Sequence, residues 1–380
     1  MTEFYLDDSA STRPLPSVVS AVAEAMTAGY GNASSHHARG RSARLAVDEA
    51  RSRVAQFLAV SDDRVVFTSG ATEANDAVLR SAFADPGCRL ITTAAEHPST
   101  RGVFAWAWDR VVDLPVDSRG MIDRDALDRE LRADGPALLS VGCVNGETGV
   151  VQPVHAICAL ARSAGARILI DATQAAGRLP LEAFPVECDY LTASAHKMNG
   201  PQGVGCLVLG PGAPVPDMAV GGGQEDGRRS GTENVPAIVG FGVACHDRAA
   251  TLDADLVRMA TLRDLLEARV AERVPGVRVN GRGAPRVATN TSLTFPGVDG
   301  MALVARLDVG GVRCSQVSAC SSGRPEPSRT LLAMGLSEEE AFATIRFSVS
   351  VMSTTSEVEA AAEIVAGEAL ALRRPLGEMA

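Results

Sequence analysis

Two residues with reactive side chains stand near the ends of apolar segments in the middle of the chain. Lys197 follows the segment YLTASAH, and Asp171 ends the segment ILID. A lysine or an acid in such a place is often only a surface side chain or a helix cap. The pair also suits an aldehyde cofactor with a pyridine ring, because the lysine amine can form a Schiff base and the acid can keep the ring nitrogen protonated. In that site Gln174, in the segment DATQ, would donate a hydrogen bond to the 3′-oxygen of the ring.

A turn in the segment FTSGATEAND is suited to bind a phosphate. Backbone N–H groups near Ala71 and the hydroxyl of Thr72 would lie at a helix N-terminus, where the helix dipole favours negative charge. Glycine turns before helices are common, so this turn alone is weak evidence for a phosphate site. It supports one only together with Lys197 and Asp171. Together the three features predict a site for pyridoxal 5′-phosphate (PLP).

The eight cysteines form no CxxC pair and no zinc-finger spacing with histidine, so we expect no metal site. Cys143, Cys188 and Cys206 lie in or beside apolar segments and are expected to be core residues. Cys320 lies instead in the segment VSACSSGRPEP, which is small, polar and rich in glycine and proline. A buried small side chain is one interpretation of Cys320, but its neighbours favour an accessible, nucleophilic thiol.

Short apolar segments alternate with helix-length ones, which predicts α/β layering around a mostly parallel, seven-stranded sheet. Amphipathic helices are predicted at 73–84 and 154–166. The predicted strands are residues 65–69, 90–96, 111–116, 138–145, 168–173, 190–195 and 206–210. Ligands bind at the carboxyl ends of such strands, which is where the reactive residues above fall.

The pattern changes after the seventh predicted strand. A long helical segment from Val235 to Val274 precedes the short strand-like segments VRVNG, TSLTF and IRFSVS. We therefore expect a large PLP-binding domain at residues 15–255. Residues 1–14 and 256–380 are expected to form a smaller α+β domain that carries Cys320.

The composition favours a globular protein and argues against membrane-spanning and nucleic-acid-binding proteins. The 380 residues are 46% hydrophobic and 22% charged, which is typical of globular proteins, and no apolar segment is long enough to cross a bilayer. The formal net charge of −10 argues against direct nucleic acid binding, which relies on basic surfaces. The acidic start MTEFYLDD is unlike a signal peptide, so we expect a cytoplasmic protein with reduced thiols.

The sequence resembles the NifS/IscS family of cysteine desulfurases, which are PLP enzymes of the class V aminotransferase group with fold type I. The resemblance extends over nearly the whole chain. It rests on the segments YLDDSAST, YGNASSHHARG, VVFTSGATE, AAEHPS, VNGETGVVQP, DATQ, SAHKMNGPQGVG, GGGQEDGRRSGTENV, SACSSGRPEPS and IRFSVS, in that order.

The resemblance implies roles for the cofactor-binding residues. Lys197 would bind the cofactor aldehyde, and His97 would stack on the ring and assist proton transfer. Asp171 and Gln174 would contact the ring nitrogen and the 3′-oxygen. The residues implied at the phosphate are Ala71, Thr72, Ser194 and His196.

The resemblance also implies a substrate, a partner subunit and a nucleophile. Arg346 would bind the carboxylate of L-cysteine with its planar guanidinium, and Asn32 and Asn145 would lie near the substrate. Thr232 would contact the phosphate of a neighbouring subunit, which predicts a homodimer with composite sites. Cys320 would accept the sulfur.

The chain departs from the family at one position. The family usually has VNNEIG where this chain has VNGETG, so that Gly146 stands where an asparagine would contact the 3′-oxygen of the ring. Asn145 or a water could substitute, or Gln174 could bind that oxygen alone.

The reaction implied is the conversion of L-cysteine to alanine, with a persulfide formed on Cys320 and passed to an acceptor protein. We expect His97 to accept the proton of the Cys320 thiol. Transamination would not need Cys320, selenocysteine lysis stays open, and a non-catalytic sulfur-relay scaffold is the alternative outside enzymes. The compact C-terminus and the long segment 314–327 favour a sulfur donor for DNA phosphorothioation, of the Dnd type. Iron–sulfur cluster assembly and tRNA thiolation are the alternative pathways.

Overall fold

The computed structural model describes residues 3–102, 107–184, 187–316 and 326–373. Its strands are Phe4–Tyr5 (β1), Val65–Thr68 (β2), Arg89–Thr93 (β3), Val111–Leu114 (β4), Ala137–Gly142 (β5), Arg167–Asp171 (β6), Tyr190–Ser194 (β7), Gly205–Leu209 (β8), Arg278–Val279 (β9), Asn290–Thr294 (β10), Val312–Arg313 (β11), Ser315–Gln316 (β12) and Thr344–Ser348 (β13). Its α-helices are Pro16–Thr27 (α1), Ala38–Phe57 (α2), Ala71–Phe83 (α3), Pro98–Arg101 (α4), Arg124–Leu131 (α5), Val154–Ser163 (α6), Val235–Arg273 (α7), Gly300–Val309 (α8), Arg329–Ala333 (α9), Glu338–Phe342 (α10) and Thr355–Leu372 (α11).

The predicted seven-stranded, mostly parallel sheet is confirmed. Its strand order is β2-β8-β7-β6-β5-β3-β4. Only β8 runs antiparallel to its neighbours, β2 and β7, and the other pairs are parallel. The strands β2, β7 and β8 are buried along their whole length, as expected for a sheet covered on both faces.

The strands end one to three residues earlier than their apolar segments. The strand β3 ends at Thr93, although the segment LITTAAE continues to Glu96. Residues 94–96 form a turn instead, and His97 then caps the short helix α4. A similar early end of β5 at Gly142 frees Asn145 and Gly146 to line the sheet edge. These early ends create the loops that line the candidate site.

The second part of the structure is a four-stranded antiparallel sheet in the order β12-β13-β10-β9. A separate apolar cluster joins it to the second half of α7 through Met259 and Leu266. The first half of α7 packs instead on the large sheet through Phe241 and Cys245. The boundary near residue 255 stays a prediction, and this change of packing along one helix supports it. Among the described residues, no helix is both long and apolar enough to span a bilayer.

Candidate active site

Most of the predicted site residues line one cleft of about 500 Å³ at the carboxyl ends of the parallel strands. The residues of the small sheet reach the same cleft through Arg346 on β13 and Ser315 and Gln316 on β12. The predicted site residues along its wall are Ala71, Thr72, His97, Asn145, Asp171, Gln174, Ser194, His196, Lys197 and Arg346.

Lys197 extends from the turn that follows β7 into this cleft. Its Nζ atom donates to the backbone oxygens of Ser9, at 2.6 Å, and Ala10, at 2.9 Å. Burial lowers the pKa of the amine to about 7, and the positive charges of Arg178 and Arg346 lower it further in the same direction. A large share of the amine is therefore unprotonated near neutral pH, as a nucleophilic lysine requires.

Asp171 is the last residue of β6, and its carboxylate is held on both oxygens. Oδ2 accepts a hydrogen bond from Nδ2 of Asn75 at 2.8 Å, and Oδ1 accepts one from the backbone N–H of Thr173 at 2.9 Å. The amide of Asn75 is oriented in turn by the hydroxyl of Thr192, which donates to its Oδ1 at 2.9 Å. Asp171 is thus fixed in direction by a buried network.

His97 is tied to the same network through Ser99. The backbone N–H of Ser99 donates to Nδ1 of His97 at 3.1 Å, and the Ser99 hydroxyl lies 2.8 Å from that atom. Burial lowers the pKa of His97. Because Nδ1 accepts a backbone N–H, the neutral ring carries its proton on Nε2. In this tautomer Nε2 is a hydrogen-bond donor, and the expected transfer of the Cys320 proton to His97 stays a prediction.

The N-terminus of α3 forms a polar lobe of the cleft, of about 360 Å³. Thr72, Ser194 and His196 line it, and the Ser194 hydroxyl accepts the backbone N–H of Ala71 at 2.8 Å. Burial, with the nearby charges of Lys197 and Arg178, lowers the pKa of His196 to about 4, so that its ring is neutral. Hydroxyls, a neutral imidazole and a helix N-terminus are suited to a phosphate.

Gln174 lies beside Gly146. A Cβ atom on Gly146 would lie 3.2 Å from Nε2 of Gln174, which is a tight contact. Nε2 donates to the backbone oxygen of Ser9 at 3.0 Å, and Oε1 accepts a hydrogen bond from Arg178. The amide of Gln174 therefore faces the space that a side chain at 146 would fill.

Arg346 is held from two sides. Its Nη1 atom donates to the backbone oxygen of Gly146 at 3.1 Å, and Nη2 donates to Oδ1 of Asp7 at 2.8 Å. The same Asp7 oxygen accepts the hydroxyl of Ser315 at 2.8 Å. The Nε atom of Arg346 is buried and has no hydrogen-bond partner within the described ranges.

A protein-family model describing class-V aminotransferases matches residues 4–361. This chain belongs to the class-V aminotransferase family. A cysteine desulfurase of Rhodobacter capsulatus is 40% identical over 385 residues, which cover 98% of this chain and 97% of that protein. A NifS-like protein of Rickettsia africae has a similar structure, with a TM-score of 0.88 and 29% identity over 96% of this chain and 99% of its own. DndA of Streptomyces lividans matches with a TM-score of 0.75 and 32% identity over 90% of this chain and 99% of its own.

Family members use PLP, and the cleft fits this cofactor. The Lys197 amine of lowered pKa, the oriented Asp171 carboxylate and the polar lobe at the N-terminus of α3 all border this cleft. Two buried polar atoms on that wall, Oγ1 of Thr173 and Nε of Arg346, have no hydrogen-bond partner among the residues that the structure describes. Orphaned polar atoms of this kind indicate a polar ligand. Lys197, Asp171 and Ser194 are the residues that would hold the aldehyde, the ring nitrogen and the phosphate.

Among the described residues, two of the predicted site residues do not line the cleft. Thr232 is exposed in the single chain, and Asn32 is exposed with its Oδ1 bound to the backbone N–H of Ser34 at 2.8 Å. Cys320 lies outside the described residues. Asn145 lines the cleft, but its side chain is engaged by the backbone N–H groups of Glu147 and Thr148 and by the backbone oxygen of Ala95. These contacts stabilise the turn at residues 145–148.

Several residues in or beside the cleft were not predicted from the sequence. Burial raises the pKa of Glu96 to about 7, while its carboxylate accepts the Gly142 N–H at 2.9 Å. Burial also raises the pKa of Glu147 to about 7, although the Ser328 hydroxyl donates to it. Asn75 carried a readable signal, because it is a polar residue on the apolar face of a helix. The contacts of the two glutamates depend on the tertiary fold and had no such signal.

Proposed function

We propose that this protein is a PLP-dependent cysteine desulfurase that transfers the sulfur of L-cysteine to Cys320. The observation that carries the proposal is the convergence of Lys197, Asp171 and Arg346 on one cleft. This convergence occurs in a chain that is 40% identical, nearly end to end, to a protein named cysteine desulfurase.

Bound PLP would serve as an electron sink for the substrate Cα. Lys197 would hold the cofactor and then, as an amine whose pKa is near 7, take the proton from Cα of the substrate. Asp171 would keep a proton on the ring nitrogen, for which its orientation by Asn75 is suited. His97 would lie over the ring, with its Nε2–H group as a hydrogen-bond donor.

Arg346 would bind the substrate carboxylate. Its buried Nε atom has no partner in the described part of the chain, and a carboxylate oxygen would satisfy it. Because Asp7 already contacts Nη2 at 2.8 Å, the substrate must share the guanidinium with Asp7 or displace it. Arg346 therefore offers a position for one carboxylate and sets the distance of the substrate from Lys197.

Cys320 is proposed as the sulfur acceptor on two grounds. The seven other cysteines lie in the described chain, where six of them are buried and Cys314 is partly buried. Burial raises the pKa of Cys314 and Cys143 to about 12, which keeps them protonated. The described flanks of the Cys320 segment also reach the cleft, since Gln316 lines it and Ser328 hydrogen-bonds the cleft residue Glu147.

The sulfur transfer is a displacement at the substrate sulfur. The Cys320 thiolate attacks this sulfur, an S–S bond forms, and the bond between the sulfur and the substrate Cβ breaks. The electron pair of the broken bond stays with the carbon fragment, which becomes alanine after it takes up a proton. The enzyme is left with a persulfide on Cys320.

We further propose a homodimer, a protein acceptor and a cytoplasmic location. Exposure of Thr232 away from its own cleft supports a contact with the phosphate lobe of a second subunit. The likeness to DndA supports DNA phosphorothioation as the pathway of the acceptor. Likeness to NifS-like proteins supports iron–sulfur cluster assembly as the second candidate. The thiolate of Cys320 requires a reducing compartment, which the cytoplasm provides.

The test is alanine formation from L-cysteine in the presence of PLP and a reductant, with wild type, Cys320→Ala and Cys314→Ala. Wild type and the Cys314 control are expected to form alanine, and Cys320→Ala is expected to lose this activity. Equal activity of all three proteins would overturn the assignment of the nucleophile. Pyruvate or a transaminated product in place of alanine would overturn the assignment of the reaction. Incubation of the persulfide form with purified acceptors of each pathway then identifies the acceptor that takes the sulfur fastest.

A further inference from the structure

A fully enclosed guanidinium lies behind the cleft, one turn of chain after Gln174. Arg178 is 3% exposed and is not among the residues that line the cleft. Its Nη2 atom donates to the backbone oxygen of Asp8 at 2.9 Å, and its Nη1 atom lies 3.3 Å from the hydroxyl of Ser9. Nη1 also donates to Oε1 of Gln174. The carboxylate of Asp8, 3.7 Å from Nη2, balances part of the positive charge.

This contact fixes the direction of the Gln174 amide. A flipped amide would place its NH₂ group against the N–H donors of Arg178, with no acceptor for either. Nε2 must therefore face away from Arg178, toward Ser9 and the cleft, where it donates to the backbone oxygen of Ser9 at 3.0 Å. The same oxygen accepts Nζ of Lys197 at 2.6 Å, so Nε2 lies beside the reactive amine.

The orientation of the Gln174 amide matters because the neighbouring residue Gly146 has no side chain. The absence of a side chain at 146 leaves open the space next to Nε2, since a Cβ atom there would lie only 3.2 Å away. The Gln174 amide is the donor that faces this space. The positive charge of Arg178 on Oε1 also polarises the amide and strengthens Nε2–H as a donor.

We propose that Arg178 is a positioning residue, which orients and polarises Gln174 so that its amide binds the 3′-oxygen of the cofactor in place of a side chain at position 146. This inference rests on the proposed function, because it concerns bound PLP. Arg178, although it is buried outside the cleft, would then influence the protonation of the cofactor. A strong donor at the 3′-oxygen stabilises its anionic form and lowers the pH at which the Lys197–PLP adduct loses its proton.

The experiment is a double-mutant cycle read by absorbance, not by turnover. Arg178→Met, Gln174→Ala and the double variant are loaded with PLP, and the pH midpoint of the colour change of the bound cofactor is measured for each. Arg178→Met is expected to raise the midpoint by about half a pH unit or more, which is roughly a threefold change in proton affinity. In the Gln174→Ala background only the direct effect of the Arg178 charge on Lys197 remains, so the same substitution is expected to raise the midpoint by a clearly smaller amount.

Arg178→Lys provides a second variant that keeps the charge and loses the planar fork, and it serves in the cycle if Arg178→Met does not fold. Because the charge is kept, it is expected to shift the midpoint in the same direction by a smaller amount, and only when Gln174 is present. Equal shifts in both backgrounds, or no shift in either, would overturn the inference. A wild-type chain that takes up no PLP would overturn the proposed function together with this inference, whereas a normal wild-type titration with an additive cycle would overturn the inference alone.

Discussion

The lowered pKa of Lys197 predicts that the chain captures PLP rapidly at neutral pH. Only the unprotonated amine attacks an aldehyde, and burial lowers the pKa of this amine from 10.5 to about 7. At pH 7 about half of the Lys197 amine is therefore reactive, against roughly one part in three thousand for an ordinary lysine. The advantage over a surface lysine is on the order of a thousandfold and comes from burial in the cleft, with help from two arginines.

The assay is the rate at which the cofactor-free chain acquires the colour of the Lys197–PLP adduct, measured at a series of pH values. The rate is expected to rise with a midpoint near pH 7 and then to level off. Lys197→Ala should show no such phase. Arg346→Met should move the midpoint upward, because a positive charge that disfavours protonation of Lys197 is removed. A wild-type rate that continued to rise beyond pH 9, as for a lysine in water, would show that burial in the cleft does not lower the pKa of Lys197.

Three further predictions concern the walls of the cleft. Arg346→Ala should lower kcat/KM for L-cysteine about thirtyfold or more, mainly through KM, because a charge-paired contact of this kind contributes about 2–5 kcal/mol. An unchanged KM would contradict the substrate role. Asn75→Ala removes hydrogen bonds to three partners and should lower the free energy of unfolding by about 3 kcal/mol in denaturant titrations. The neighbouring exposed variant Asp76→Ala should cost less than 1 kcal/mol, and an equal loss for both would contradict the network. Ionised Glu147 costs stability because its folded pKa is raised from 4.5 to about 7, and this cost grows as the pH rises through that window. Glu147→Gln should therefore gain up to about 3 kcal/mol over wild type above neutrality and little near pH 4. An equal gain at both pH values in denaturant titrations would contradict this prediction.

The fold was predictable from sequence because buried parallel strands are apolar along their whole length. Each predicted strand of the large sheet is present, and the long helix predicted from Val235 to Val274 is α7, Val235–Arg273. The strand ends were less predictable, since the apolar composition of a segment such as LITTAAE does not show where the backbone turns. The turn after Thr93 is decided by contacts such as that of the Glu96 carboxylate with the Gly142 N–H.

The site was predictable where the chemistry lies within one motif. Lys197, Asp171 and the N-terminus of α3 each follow a recognisable segment, and the structure brings them to one cleft. Contacts between distant parts of the chain were not predictable. The oxygen of Ser9 that accepts the Lys197 amine is 188 residues away in sequence, and Asp7 lies 339 residues from Arg346. Such contacts follow from the docking of the N-terminal segment between the two sheets.

The expected role of His97 illustrates the same limit. The sequence placed a histidine near the ring but could not show which ring nitrogen is engaged. The backbone N–H of Ser99 binds Nδ1 and so assigns the proton of the neutral ring to Nε2. The expected transfer of the Cys320 proton to His97 stays a prediction, and the unprotonated amine of Lys197 is a second group of suitable pKa in the described cleft.

The transfer of sulfur from L-cysteine to Cys320 is tested most directly by peptide mass spectrometry after one turnover of the PLP-loaded enzyme without reductant. We predict one added sulfur atom on the peptide that contains Cys320, in an amount equal to the alanine formed, and no added sulfur on the peptides that contain the buried cysteines. Alanine formed without added sulfur on the Cys320 peptide, or sulfur found on another cysteine, would contradict it.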